Sequence, residues 1–324
     1  MTRPRWALRV LGLALLAACA APRPKAAQAE YDAWVARLDP AVPDAAAAAS
    51  ACRALGRSGR PEAVEPLLKV WDALLERKFH RFGLPPELEA VRAAAAEALG
   101  LLGDIKAVPV LRRGLLDEDR TVSARSAEAL ALLGDAGSAP ALARLAEGQD
   151  EGLAQTALEA LGAVGGAGAE EALRKALDGP RPFLAVTAAY GLGLRSSVVG
   201  RLRLEGWLEE SAEPTREGIL AAHYLAKLGV PSGVPFLAKL AKDGPPDLRL
   251  LAVDALGKTG RAEAVEPLAP AAADKEPSTR VLAALALGRL PGKKAETALR
   301  ALAVDPDPGV AKAAGAALSE RGAR

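Results

Sequence analysis

The 324-residue chain is poor in the side chains that most often carry chemistry: 3% aromatics, two cysteines, two histidines and one methionine. Two histidines 143 positions apart, His80 and His223, cannot supply a transition-metal site between them. No Gly-x-Ser-x-Gly elbow and no Cys/His pair stands out to mark nucleophilic catalysis. Charge of one sign is also lacking. The 42 basic residues nearly balance 40 acidic ones, so the electrostatic footprint of a nucleic-acid binder is absent. Nor is there an apolar run of the ~20 residues that a membrane-spanning helix needs.

What the chain does have is a period. Leu55, Leu99, Leu130, Leu161, Leu192, Leu225, Leu256, Leu287 and Leu318 follow one another at gaps of 44, 31, 31, 31, 33, 31, 31 and 31 residues. A fixed interval of this size marks stacked repeats. Four residues before each leucine stands Ala, or Ser at Ser126; one before stands Ala or Gly, except at Tyr224. These offsets share one face of a 3.6-period helix, and small residues there let a neighbouring helix come close. Glycine four residues after the leucine, as at Gly103, Gly134, Gly229 and Gly260, predicts a left-handed helix stop. A second helix then opens with Pro109, Pro140, Pro235 or Pro267, and acidic turns such as Asp117-Glu118-Asp119 can cap the next one.

The run Val91-Arg92-Ala-Ala-Ala-Ala-Glu97-Ala98-Leu99-Gly100-Leu-Leu-Gly103, with Ala107-Val108-Pro109-Val-Leu111 after it, resembles the short HEAT repeat of phycobilisome-lyase-like proteins. The resemblance covers roughly residues 30 to 322 and implies an all-α solenoid of about nine two-helix repeats, with the leucine-bearing helices lining a concave face. It specifies fold far better than function. HEAT-like metal-dependent hydroxylases hold di-iron through His-Glu pairs, whereas here His80 precedes Arg81 and His223 precedes Tyr224. The expectation is therefore a chain that is not an enzyme and takes no cofactor or metal.

The N-terminus stands outside the repeat. Arg3, Arg5 and Arg9 precede the short apolar stretch Val10 to Ala18, which has the form of a secretory signal peptide over residues 1–18. Leu16-Ala17-Ala18-Cys19 looks like a bacterial lipobox, which makes Cys19 the lipidation site and residues 19–29 a short tether to a repeat region over 30–324. Ala20 after the cysteine resembles outer-membrane sorting in Gram-negative cells. Removal of the leader leaves 39 basic residues against 40 acidic, a net charge of −1. Cys52 is then the single remaining thiol; among the small residues before Leu55 it reads as structural.

Departures from the period locate candidate contact residues. The 44-residue gap adds about 13 residues near 71–88, including Trp71, Phe79, His80 and Phe82, and insertions in repeat proteins often form a binding edge. Two before each leucine, where side chains should leave the core, the series runs Glu97, Glu128, Glu159, Tyr190, His223, Asp254 and Leu285. Tyr190, His223 and Asp254 predict a column, flanked by Lys227, Lys258 and Arg289, suited to a peptide or a glycan edge. His223 with Asp254 is the one acid–base pairing that can be built. Tyr224 in a small-residue slot, and Leu202 to Trp207 before it, read as packing adjustments to the 33-residue gap. The expectation is a monomeric, lipid-anchored scaffold on the periplasmic side of a bacterial envelope membrane, binding a protein and no nucleic acid. The alternatives are an exported weak hydrolase or cofactor-binding protein, or a spacer without a ligand.

Overall fold

The computed structural model describes residues 25–38, 44–80, 83–209 and 214–322, and leaves undescribed the side chains of 25–27, 79, 80 and 322. The leader, Cys19 and Phe82 lie outside the described residues. Among those residues the protein is all helix, with no strand, and the helices recur in pairs as an all-α repeat fold. The contacts group into two compact units that divide after Ala169.

The first unit holds α1 (Lys25–Ala36), α2 (Ala45–Arg57), α3 (Val64–His80), α4 (Pro86–Leu102), α5 (Val108–Gly114), α6 (Arg120–Leu133), α7 (Ala139–Glu147) and α8 (Glu151–Val164). The second holds α9 (Ala169–Leu177, entering at its first residue), α10 (Pro182–Leu194), α11 (Val198–Glu209), α12 (Arg216–Leu228) and α13 (Gly233–Asp243). It continues with α14 (Pro246–Lys258), α15 (Ala269–Ala272), α16 (Pro277–Arg289), α17 (Lys293–Leu302) and α18 (Pro308–Gly322). Every even-numbered helix carries one of the nine recurrent leucines, and eight of these are buried, with Leu318 partly so.

Local chemistry sets the helix ends. Asp44, Asp119 and Asp150 each accept a backbone N–H from the first turn of α2, α6 and α8, and Thr215 does the same for α12. Gly103, Gly134 and Gly229 close α4, α6 and α12 with φ of 74°, 65° and 77°. One repeat departs from the expected pair. After Leu256 the second helix breaks into two 3-10 turns and the four-residue α15, because Pro267 and Pro270 each remove a backbone donor within one turn.

Within each unit, neighbouring leucine-bearing helices meet backbone to backbone at glycines. A Cβ placed on Gly100 would lie 2.7 Å from the Ala129 Cα, and one on Gly56 would lie 2.6 Å from the Ala98 Cα. In the second unit Gly257 stands in the same relation to Ala286, at 2.5 Å. The glycine after one leucine thus receives the alanine before the next. Leu and Ala fill what remains, which is how a chain with so few aromatics closes its core.

The insertion lengthens α3, which runs to His80 ahead of α4. Leu67, Val70, Trp71 and Leu74 form its buried stripe at helical spacing. Trp71 is fully buried beneath the Arg92 guanidinium, 4.8 Å from the ring centroid, so its expected place at a contact edge is corrected: the large ring is core. At the end of α3, Lys78 Nζ reaches Glu89 (2.9 Å) and Asp117 (2.7 Å), and Arg92 reaches the same two carboxylates at 2.8 and 2.7 Å. Two cations and two anions close an alternating ring. Burial pushes the Asp117 carboxyl up, but hydrogen bonds from Arg92 and Lys78 outweigh it and hold the group below its ordinary value. Cys52 is buried as well, and burial drives its thiol up to about 12, against a smaller pull from Arg53. Such a thiol is unreactive.

The glycine-on-alanine contact has a testable sign. Gly100→Ala should destabilise the protein by roughly 1–3 kcal/mol, because two helix backbones must separate. Gly315→Ala, within α18 with no atom in reach of its Cβ, should instead stabilise by about 0.5–1 kcal/mol. Chemical denaturation of both variants reads the difference; equal effects would remove the contact from its structural role.

Candidate functional site

The column expected from sequence lies within the second unit, on α10, α12, α14 and α16, but its members differ in depth. Tyr190 is 5% exposed and His223 9%, whereas Asp254 is half-buried and Leu285 is 46% exposed. The expectation that Tyr190 and His223 face outward is therefore corrected. The reason is Tyr224. Filling the slot that other repeats give to Ala or Gly, its ring stacks on Tyr190 at a centroid distance of 4.2 Å and an interplanar angle of 7°. His223 lies tilted against the same ring at 5.3 Å. The Lys227 ammonium sits 4.8 Å from the Tyr190 centroid and 5.6 Å from that of Tyr224, covering the pair from the exposed side. Thr187, which sequence reasoning passed over, lies with its hydroxyl 3.3 Å from the Tyr224 hydroxyl. Its place one turn before Tyr190 gave no sign of it, because the partner hydroxyl lies 37 residues on in the next repeat.

His223 is held neutral. Burial comes first among the causes, followed by the positive charge of Lys227, with Lys258 adding to it; together they lower its pKa from 6.5 to about 3. A hydrogen bond with the Ala255 backbone and the negative charge of Asp254 act the other way. Nδ1 is buried without a hydrogen-bond partner.

Asp254 is engaged elsewhere. It accepts from Lys258 at 2.6 Å along α14 and from Arg289 at 2.7 Å across to α16. Burial raises its carboxyl pKa, yet these two hydrogen bonds leave it below the ordinary value. Both oxygens being used, the His223–Asp254 acid–base pair that the sequence allows is not made. What remains open is a face on α14 and α16 where Leu250, Leu251 and Leu285 are exposed beside one carboxylate shared by two exposed cations.

Cavities lie elsewhere in both units. One of about 460 Å³ in the second unit is walled by Trp207, Leu208, Phe236 and Leu240, with Lys239 and Asp243 at its edge. Trp207, read from sequence as packing, is only half-buried there. Another of about 580 Å³ in the first unit is lined by Glu118, Arg120, Arg125, Glu128 and Asp150, charges of both signs. Among the described residues no group of three or more His, Cys, Asp or Glu side chains is placed to hold a metal ion. Phe79 and His80 belong to α3 by backbone, and their side chains, with Phe82, lie outside what is described.

The depressed His223 pKa makes stability depend on pH. Between about 6.5 and about 3 the unfolded ring binds a proton and the folded ring does not. The stabilisation is therefore full above about pH 6.5 and falls as pH drops through that window, by up to about 1.4 kcal/mol per pH unit. Denaturation at about pH 7 and about pH 5 should show a loss in the wild type that His223→Gln reduces. An unchanged pH difference in the variant would place the titration elsewhere.

Comparison with known proteins bears on the fold. No curated protein matches the sequence. The structure is similar to that of the complex of CpcE and CpcF of phycocyanin lyase from Nostoc sp., at 23% identity and a TM-score of 0.44, over 94% of this chain and 97% of that one. It is also similar to human deoxyhypusine hydroxylase in complex with glycerol, at 24% identity and a TM-score of 0.43, over 93% and 98%. An engineered protein aligns at 21% identity and a TM-score of 0.37, over 97% and 92%. At these identities the likeness is one of fold. The expectation that the chain is not an enzyme is corrected: structures of a phycocyanin lyase and of deoxyhypusine hydroxylase stand among those it is similar to, and the exclusion is withdrawn. The sequence itself matches the family of HEAT repeats over residues 86–162, 204–277 and 265–324, more than half of its length, and the chain belongs to that family.

Proposed function

We propose that this HEAT-repeat protein is a scaffold that holds a protein partner at the bacterial cell envelope, with the exposed face of α14 and α16 as its contact surface. The observation that carries the reading is Asp254 shared between Lys258 and Arg289: one carboxylate serves two exposed cations, and three exposed leucines stand alongside. A contiguous apolar patch rimmed by charge is the usual form of an interaction site, and a residual positive charge selects an acidic segment. Lys227, exposed above the tyrosine pair, extends the basic edge.

Attachment to the envelope is proposed through acyl chains on Cys19, on the strength of Leu16-Ala17-Ala18-Cys19 after a basic and apolar leader. Ala20 favours the outer membrane, with the repeats on the periplasmic side. Among the described residues no helix is long and apolar enough to cross a membrane.

Two measurements separate these parts. Cys19→Ser should move the protein into the soluble fraction after a high-salt wash, and a variant that stays with washed membranes rejects the anchor. Lys258→Glu with Arg289→Glu should lower recovery of the cross-linked envelope partner by roughly tenfold. Unchanged recovery with native helicity would favour a spacer that binds nothing specifically.

A further inference from the structure

Helix α11 is exposed in an unusual way. Gly200 and Leu204 are buried, while Val198, Val199 and Leu202 stand 60, 47 and 56% exposed near its start. Exposed aliphatic residues are normal one at a time, but three on one turn and a half form a patch. Around it Arg195, Arg201 and Arg203 are all exposed, and no acidic residue occurs between Asp178 and Glu205. Glu205 and Glu209 follow only on the C-terminal half of the helix.

The turn before α11 is irregular too. Ser196 stands four residues after Leu192, where seven of the other eight repeats put glycine, and holds φ at 61°. A cavity of about 420 Å³ opens beside it, lined by Ser196, Ser197, Val198 and Arg201 on one side and by Val230 and Pro231 on the other.

We propose that this face of α11 rests on a membrane surface that carries anionic headgroups. The aliphatic side chains would enter the boundary between headgroups and acyl chains, and the arginines, with long apolar stems and charged ends, would meet the phosphates. The cavity at Arg201 has the hydroxyls and the positive charge to receive one headgroup phosphate. The first half of this face, aliphatic and framed by arginines, matches a lipid surface in both polarity and charge, and Glu205 and Glu209, which continue the same stripe of the helix, bound the contact at its C-terminal end. A peripheral contact of this kind would act in addition to acyl chains. The surface stands independently of Cys19; only the identity of the membrane rests on the envelope reading above.

The test uses the full chain carrying Cys19→Ser, which cannot be acylated, and vesicles with and without phosphatidylglycerol in phosphatidylcholine. At low ionic strength the protein should co-sediment with the anionic vesicles and be released by salt. Arg201→Glu should weaken partitioning at least about tenfold. Leu202→Asp should weaken it as well, whereas Val304→Asp, at an isolated exposed valine elsewhere in the second unit, should not. Circular dichroism of each variant controls for folding. Equal binding to neutral and anionic vesicles, no binding to either, or indifference to Arg201→Glu and Leu202→Asp would overturn the proposal. Failure of the anchor alone would show in cell fractionation and leave these outcomes untouched.

Discussion

The fold depends on one close approach. A glycine just after a leucine receives an alanine just before the next leucine, so that neighbouring helices touch along their backbones, as Gly56 does with Ala98, Gly100 with Ala129 and Gly257 with Ala286. At that spacing a leucine per repeat is enough to fill the layer, and bulky aromatics are unnecessary. The same contact makes the array intolerant: any side chain in place of the glycine meets backbone, which cannot step aside.

Where the contact is broken, the protein changes character. Tyr224 takes the alanine slot, and in that repeat Gly193 faces Leu228 instead. The space is filled by a stacked tyrosine pair, a neutral histidine and a covering lysine, giving the second unit a small aromatic core cluster of its own. The residues that sequence alone placed on a recognition surface are in part the material that repairs this one exception. Beyond it, where Ala returns at Ala255 and Ala286, the corresponding positions open again and Asp254 and Leu285 come toward solvent. A parallel repair occurs in the first unit, where the long α3 is held by a ring of two cations and two carboxylates rather than by apolar packing alone. Such a ring is costly to bury and costly to break, so it acts mainly to hold that helix in one place.

Much of this was legible in the residues. The nine helices with their leucines, the glycine stops and the aspartate caps follow from interactions between residues one or two turns apart, and such interactions repeat whenever the spacing repeats. The insertion near residues 71–88 was also visible, as a gap of 44 residues where 31 was the rule. Nothing about catalysis was legible in either direction: two histidines without His-Glu pairs spoke against one kind of metal site, which is a narrower statement than the absence of chemistry.

Depth and pairing were settled in three dimensions. Trp71 could have faced solvent on a long helix, but Arg92 from the following helix lies over it. His223 and Asp254 could have paired across one repeat, but Lys258 and Arg289 reach the carboxylate first. The division after Ala169 leaves no mark on the period of the leucines. In each case the outcome turns on which side chain an adjacent layer brings over a given position. That competition among groups distant in the chain is invisible to any pattern read along it.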